Sequence, residues 1–168
     1  MALSIQSDFV RSRHDAALLP VRAALGSTML YHGVTKLKEE SREQVGQMFD
    51  QLGLRPGKFW GVAAGAAEVF AGVSALLGIL TRPAALAVLV TQAVAIAKVH
   101  GQKGFDITKG GFEYNLALMA IAAGLLVAGP GAFSLHEVLE HLAEGRGPRK
   151  LFRKVKPSPL LRAIKLAK

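Results

Sequence analysis

The chain contains no cysteine. That absence excludes disulfides, thiolate zinc sites, iron–sulfur ligation and thiol redox chemistry carried by this chain itself. It also leaves the redox compartment unreadable from thiols. Acidic residues are missing from one whole end: 145–168 holds nine Lys or Arg and no Asp or Glu, so the net charge of +9 belongs to a tail. The remainder balances twelve basic against twelve acidic residues. Polar sequence is scarce, since 51% of the 168 residues are apolar and the mean hydropathy is +0.31. That balance fits poorly with a water-soluble globule. Paired haem-type histidines are lacking too, because His32 and His100 stand isolated, and no internal repeat points to an inverted-repeat transporter.

What is present is four apolar segments: Ala16 to Thr35, Trp60 to Leu80, Pro83 to Val99 and Phe112 to Phe133. A spanning helix needs about 20 mainly apolar residues. The expected fold is therefore an all-α membrane protein, a four-transmembrane-helix bundle with short interfacial amphipathic helices and spans near 18–36, 60–80, 83–99 and 112–130. The expected division is a cytoplasmic N-terminal segment (1–15), the bundle (16–144) and a basic cytoplasmic tail (145–168). The first segment carries Arg22 and His32 and lacks a signal-peptide cleavage pattern, so it is expected to stay in the mature protein. Basic residues are kept in cytoplasmic loops near spans, which places both termini in the cytoplasm on the strength of the tail. The tail alternates basic and apolar residues without an aromatic stacking platform, and its expected partner is anionic lipid, with no nucleic acid.

Between the first two segments, Val45, Met48, Phe49 and Leu52 fall at helical spacing and predict an amphipathic helix that "GLRPG" ends. Trp60 follows where an interfacial aromatic belongs. A short turn at Thr81, Arg82 and Pro83 makes the second and third helices antiparallel neighbours, and glycines 101, 104, 110 and 111 mark a loop before the fourth. Ser134 and Glu137 form a capping box, with Phe133 and Val138 as its staple, predicting a short helix from Leu135 to about Leu142.

The uncharged run "VFAGVSALLGIL" is preceded by Glu68. An unpartnered charge at that depth costs at least about 2.5 to 3.5 kcal/mol. Gly61, Gly65, Glu68 and Gly72 share one helical face, and small residues spaced four apart let helices approach closely. On the first helix Arg22, Gly26, Met29, Gly33 and Lys36 form one stripe with His32 beside it; on the fourth, Glu113, Ala117, Ala120 and Gly124 do the same. Alternating helix direction then gathers His32, Lys36, Glu68 and Glu113 at one membrane side, with Lys98 and His100 near. These four are the expected polar pocket for substrate or protons, with Gly26, Gly33, Gly61, Gly65 and Gly72 as packing residues. Lys36 or His32 is the expected partner of Glu68. Arg22 reads as an anchor at the opposite interface and Gln92 as a hydrogen-bonding residue between helices. No catalytic residue and no metal ligand is assigned.

"HGVTKL", "MFDQLGL", "EVFAGVSALLGILTRPAAL", "GGFEYNLALMA" and "GPGAFSL", in that order over Pro20 to Leu142, resemble the DoxX family of small membrane proteins. The resemblance implies a prokaryotic cytoplasmic-membrane protein with four spans, related to a subunit of a thiosulfate:quinone oxidoreductase and to oxidative-stress and thiol-balance systems. It picks out His32, Gly33, Lys36, Glu68, Gly72, Gly78, Arg82, Gly111 and Glu113, while His136 departs from the pattern and the tail lies outside it. The expected function is an accessory or membrane-anchor subunit of a quinone-linked oxidoreductase, non-catalytic by itself, with no covalently bound cofactor, quinone as the ligand and a soluble or membrane oxidoreductase as partner. The alternatives are a small solute or cation transporter or channel, and a scaffold or assembly partner without its own activity.

Overall fold

A computed structural model describes residues 2–143, with side chains from Asp15 onward. The basic tail and its expected lipid contact lie outside the described residues. All regular structure among the described residues is helical: α1 (Ala2–Leu37), α2 (Glu39–Gln51), α3 (Gly57–Leu77), α4 (Thr81–Ala95), α5 (Glu113–Ala128) and α6 (Leu135–Ala143). α4 continues through a π turn at Ile96–His100 into a 3-10 turn at Gly101–Lys103.

α1 packs chiefly on α3, α3 on α4, and α4 on α5, while α2 lies against α3. The core is built from Leu18, Leu25 and Met29 of α1, Ala71 of α3, Ala84, Ala85 and Val88 of α4, and Leu118, Ala122 and Leu125 of α5. Two helices are long and apolar enough to cross a membrane among the described residues, Gly57–Leu77 and Thr81–Lys103. Only 39% and 22% of their apolar windows are buried, so neither is the enclosed core helix of a soluble fold. Phe70, Val73 and Leu77 of α3 and Leu86, Val90 and Val94 of α4 face outward instead. A water-facing helix turns polar residues outward, so this inside-out surface calls for an apolar surround. α5 is apolar but has 16 residues, about 24 Å of helix.

Several boundaries differ from the sequence reading. α1 starts at Ala2 instead of near Leu18, so residues 2–15 are helical and Pro20 lies inside the helix, not in its first turn. The α3–α4 turn is Gly78–Leu80, with Gly78 (φ 66°) and Leu80 (φ 49°) left-handed, and Thr81–Pro83 already form the first turn of α4. Pro83 is tolerated there because first-turn N–H groups have no intrahelical acceptor. The loop before α5 also contains a 3-10 turn, Ile107–Lys109, which Asp106 caps by accepting from the Thr108 amide (2.9 Å) and hydroxyl (2.7 Å). These two hydrogen bonds hold the Asp106 carboxyl below its ordinary range.

α2 and α6 form where the amphipathic stripe and the capping box predicted them. Ser134 Oγ accepts from the Glu137 amide at 3.3 Å. The buried residue of α2 is Gly46, not its apolar stripe; there the helix backbone meets Lys58 and Gly57. One turn on, Asp50 Oδ1 accepts from the Gly57 amide at 2.8 Å, giving a carboxylate to the open N-terminus of α3. Asp50→Ala is expected to cost about 1 kcal/mol, seen as faster hydrogen exchange in the first turn of α3 with the rest of the bundle unchanged.

The fourth-helix face is a correction. Glu113, Ala117, Ala120 and Gly124 point outward, and the buried line is Asn115, Leu118, Ala122 and Leu125. α5 carries small residues on both sides, so spacing alone did not choose between them. The Asn115 amide chose, because it finds its hydrogen-bond partner on α4 (Asn115 Nδ2 to Gln92 Oε1, 2.8 Å).

Candidate functional site

The glycine faces of α1 and α3 meet. A Cβ built at Gly33 would lie 2.7 Å from the Gly65 carbonyl oxygen, and one at Gly26 would lie 3.0 Å from that of Gly72. The reciprocal contacts are as close: a Cβ on Gly72 would lie 2.6 Å from the Leu30 amide nitrogen. The two backbones therefore run against each other in antiparallel register, at a distance only glycine permits. Gly61 extends the line to α2, where Val45 packs over it.

This register sets Glu68 opposite the last turns of α1. Lys36 Nζ donates to Glu68 Oε2 at 2.6 Å. The Glu68 side chain is 8% exposed and that of Lys36 24% exposed, so the carboxylate is enclosed while the ammonium keeps an opening to the surface. Lys36 also lies in the last turn of α1, where unpaired carbonyls favour a cation. A carboxylate in this setting needs its partner, since removing one member of a buried ion pair leaves an uncompensated charge.

His32 and Glu113 stand apart from that pair. The His32 side chain is exposed, and its ring lies 5.6 Å from Tyr31 and 6.4 Å from Tyr114. Glu113 is exposed and accepts from the Ile107 amide at 3.2 Å, closing the loop before α5. Neither makes a hydrogen bond or ion pair with Lys36 or Glu68, so the four-residue pocket contracts to a two-residue pair. His100 holds the same loop, donating from Nδ1 to the Gly110 carbonyl at 2.7 Å. Lys98 is exposed on the outer side.

Two polar features deeper in the bundle were only partly read from sequence. Gln92 does bond across the bundle, but its acceptor role toward Asn115 was missed, and its Nε2 also points at Met29 Sδ, 3.9 Å away. The signal for Asn115 was a lone amide one residue after Tyr114, at the mouth of an uncharged run. Arg22 is not an interfacial anchor. It is 3% exposed and donates from Nε to the Ala75 carbonyl (2.9 Å), from Nη2 to Leu76 (3.0 Å), and from Nη1 to Pro130 (2.9 Å) and Phe133 (2.7 Å). One guanidinium thereby satisfies the open C-terminus of α3 and the α5–α6 connection together. Its place on the Gly26 stripe showed that it faces the bundle, but nothing local showed which carbonyls it meets.

Comparison with known proteins bears on the same region. The DoxX family model matches residues 17–101, which include Arg22, Gly33, Lys36, Glu68 and Gly72 and leave out Glu113 and α5. An uncharacterized membrane protein of Mycobacterium tuberculosis, Rv3486, is 27% identical over 143 residues, covering 79% of this chain and 87% of the relative. No solved structure matches. With the match spanning half of the 168 residues and centred on the α1–α3 pair, the chain belongs to the DoxX family.

Proposed function

We propose that the chain spans a prokaryotic cytoplasmic membrane with α1, α3, α4 and α5, both termini on the cytoplasmic side, and acts as an accessory or anchor subunit of a quinone-linked oxidoreductase. The observation that carries the reading is the Lys36–Glu68 pair: an ammonium and a carboxylate 2.6 Å apart, closed on the carboxylate side and open on the ammonium side. Intramembrane ionisable groups mark proton and substrate paths more often than lipid-facing positions. The outward apolar faces of α3 and α4 support the membrane placement.

The donor set fits a quinone headgroup. When bound, a quinone supplies two-electron, two-proton redox chemistry. Lys36 Nζ has hydrogens to spare beyond the one on Glu68 and would hold a carbonyl oxygen at the open side. Glu68 Oε2, bonded to the same ammonium, would exchange a proton with Lys36 Nζ, through which a bound headgroup would gain or lose it. The electrons come from a partner subunit, because this chain has no cysteine with which to carry them.

Glu68→Gln keeps the shape and removes the proton acceptor. Quinone-dependent electron flow per folded molecule, in membranes whose own copy is replaced by this variant, is expected to fall on the order of 10²-fold, and the protein still folds because the charge left unpaired is Lys36, the member open to the surface. Unaltered flow with normal protein level would sink the reading.

A further inference from the structure

An open groove of about 330 Å³ runs along the outer side of α1, walled by Leu30, Val34 and Leu76, with Tyr31, Thr35 and Lys38 along it. From Ser27 to Thr35 it follows α1 for about 12 Å, with Lys38 just past the helix end. Its two ends differ in chemistry. Toward mid-helix the wall is aliphatic; toward the α1–α2 junction it closes on Lys38, which is exposed and makes no side-chain ion pair or hydrogen bond among the described residues. Tyr31 stands between them, 70% exposed. The Thr35 hydroxyl is already used on the Tyr31 carbonyl (2.8 Å) and that of Ser27, at the mid-helix end, on the Ala23 carbonyl (2.8 Å), so the Lys38 ammonium and the Tyr31 hydroxyl are the polar groups the groove leaves open among the described residues.

We infer that this groove is a phospholipid site, with the phosphate on Lys38, the glycerol level at Tyr31 and one acyl chain along Leu30, Val34 and Leu76. Three observations select that occupant. The groove is too small for a helix, whose diameter with side chains is about 10 to 12 Å, but takes an extended chain. An unpaired ammonium beside an apolar wall matches a ligand that is anionic at one end and aliphatic at the other, which a neutral quinone is not. The Tyr31 ring stands between the aliphatic wall and the ammonium, and Tyr is favoured where an apolar zone gives way to a wet one. Glu39 and Glu40 follow Lys38 directly at the start of α2, and Arg42 donates to the Leu37 carbonyl at 3.1 Å, so the headgroup surroundings carry both signs. That mixture suits a headgroup with an amine beyond its phosphate.

The inference rests on the membrane-spanning reading of α1 and α3, and the test separates the two. The full chain is purified in mild detergent and its retained phospholipid measured by native mass spectrometry, for wild type, Lys38→Glu and Val34→Trp. Both substituted residues are on the surface, so the bundle is left intact. Retention is expected to drop about tenfold in Lys38→Glu, where attraction becomes repulsion, and at least as far in Val34→Trp, where the indole fills the groove. In parallel, wild-type chain in phosphatidylethanolamine vesicles containing a photoactivatable analogue of that lipid is expected to label the α1 groove in molar excess over Val90 and Val94 on α4. Labelling of α4 by itself reports bilayer contact and so tests the spanning reading separately. Equal retention in all three proteins, or groove labelling no stronger than that of α4, overturns the lipid site. Displacement of the lipid by millimolar inorganic phosphate overturns it as well, in favour of a simple phosphate site.

Discussion

Replacing Arg22 with Met lowers the stability of the detergent-solubilised chain by about 3 kcal/mol, a larger effect than any surface substitution. The four carbonyls it holds, Ala75, Leu76, Pro130 and Phe133, lose their donor together. Hydrogen bonds to a charged group are worth about 1.5 to 3 kcal/mol each, and a buried acceptor left alone costs about 1 to 3 kcal/mol. Those losses are partly offset because the guanidinium no longer has to be desolvated, which is why the net is nearer 3 than their sum. Thermal unfolding should shift down by roughly 10 °C. Arg22→Lys is expected to recover less than half, since an ammonium has no planar fork and cannot meet carbonyls on two sides at once. Full recovery by Lys would show that the charge, not the fork, matters. Full stability in Arg22→Met would show that the clamp contributes nothing.

The second large effect lies at the glycine crossing. Gly72→Leu is expected to separate α1 from α3, because its Cβ alone would meet the Leu30 nitrogen at 2.6 Å and the Gly26 oxygen at 2.8 Å, both backbone atoms that cannot rotate away. Overpacking a dense contact costs about 1 to 3 kcal/mol where side chains can adjust, so a backbone collision belongs at or above the top of that range. Gly124→Leu is the control: nothing lies within 4 Å of its Cβ position, and no loss of stability is expected, since a mid-helix glycine is replaced by a better helix former. The geometric readout is distinct from the thermal one. A cross-link between cysteines placed at Lys36 and Glu68 should form in the background of Gly124→Leu and fail in that of Gly72→Leu. Similar cross-linking in both would mean that the close approach of α1 and α3 is not needed to set the pair.

Both predictions concern faces whose legibility differed for a physical reason. On α1 and α3 the glycines fall on one side only, so a spacing of three and four residues picked out the contact face and placed Lys36 and Glu68 on it. On α5 the small residues Ala117, Ala120, Ala122, Ala123 and Gly124 surround the helix. A helix apolar all round has no stripe to read, and the outward face was chosen in error. His32 and Glu113 follow from the same limit. Helix direction and length fix a residue's depth, and both do lie at the Lys36 end of the bundle. The rotation of each helix about its axis is fixed only by its neighbours, and it turns these two side chains to the surface.

By itself the sequence determined the helical class, the location of the apolar segments, the glycine-lined faces of the first two of them, the Ser134 cap and the family. Each is a local or periodic property, carried by composition, spacing or short motifs. Only the tertiary structure decided that Lys36 and not His32 pairs with Glu68, that Arg22 is a buried clamp and not an interfacial anchor, and that Asp50 caps a helix on the far side of a turn. These are contacts between residues distant in the chain, such as Arg22 and Phe133. They depend on register and rotation, which packing sets and no local pattern encodes.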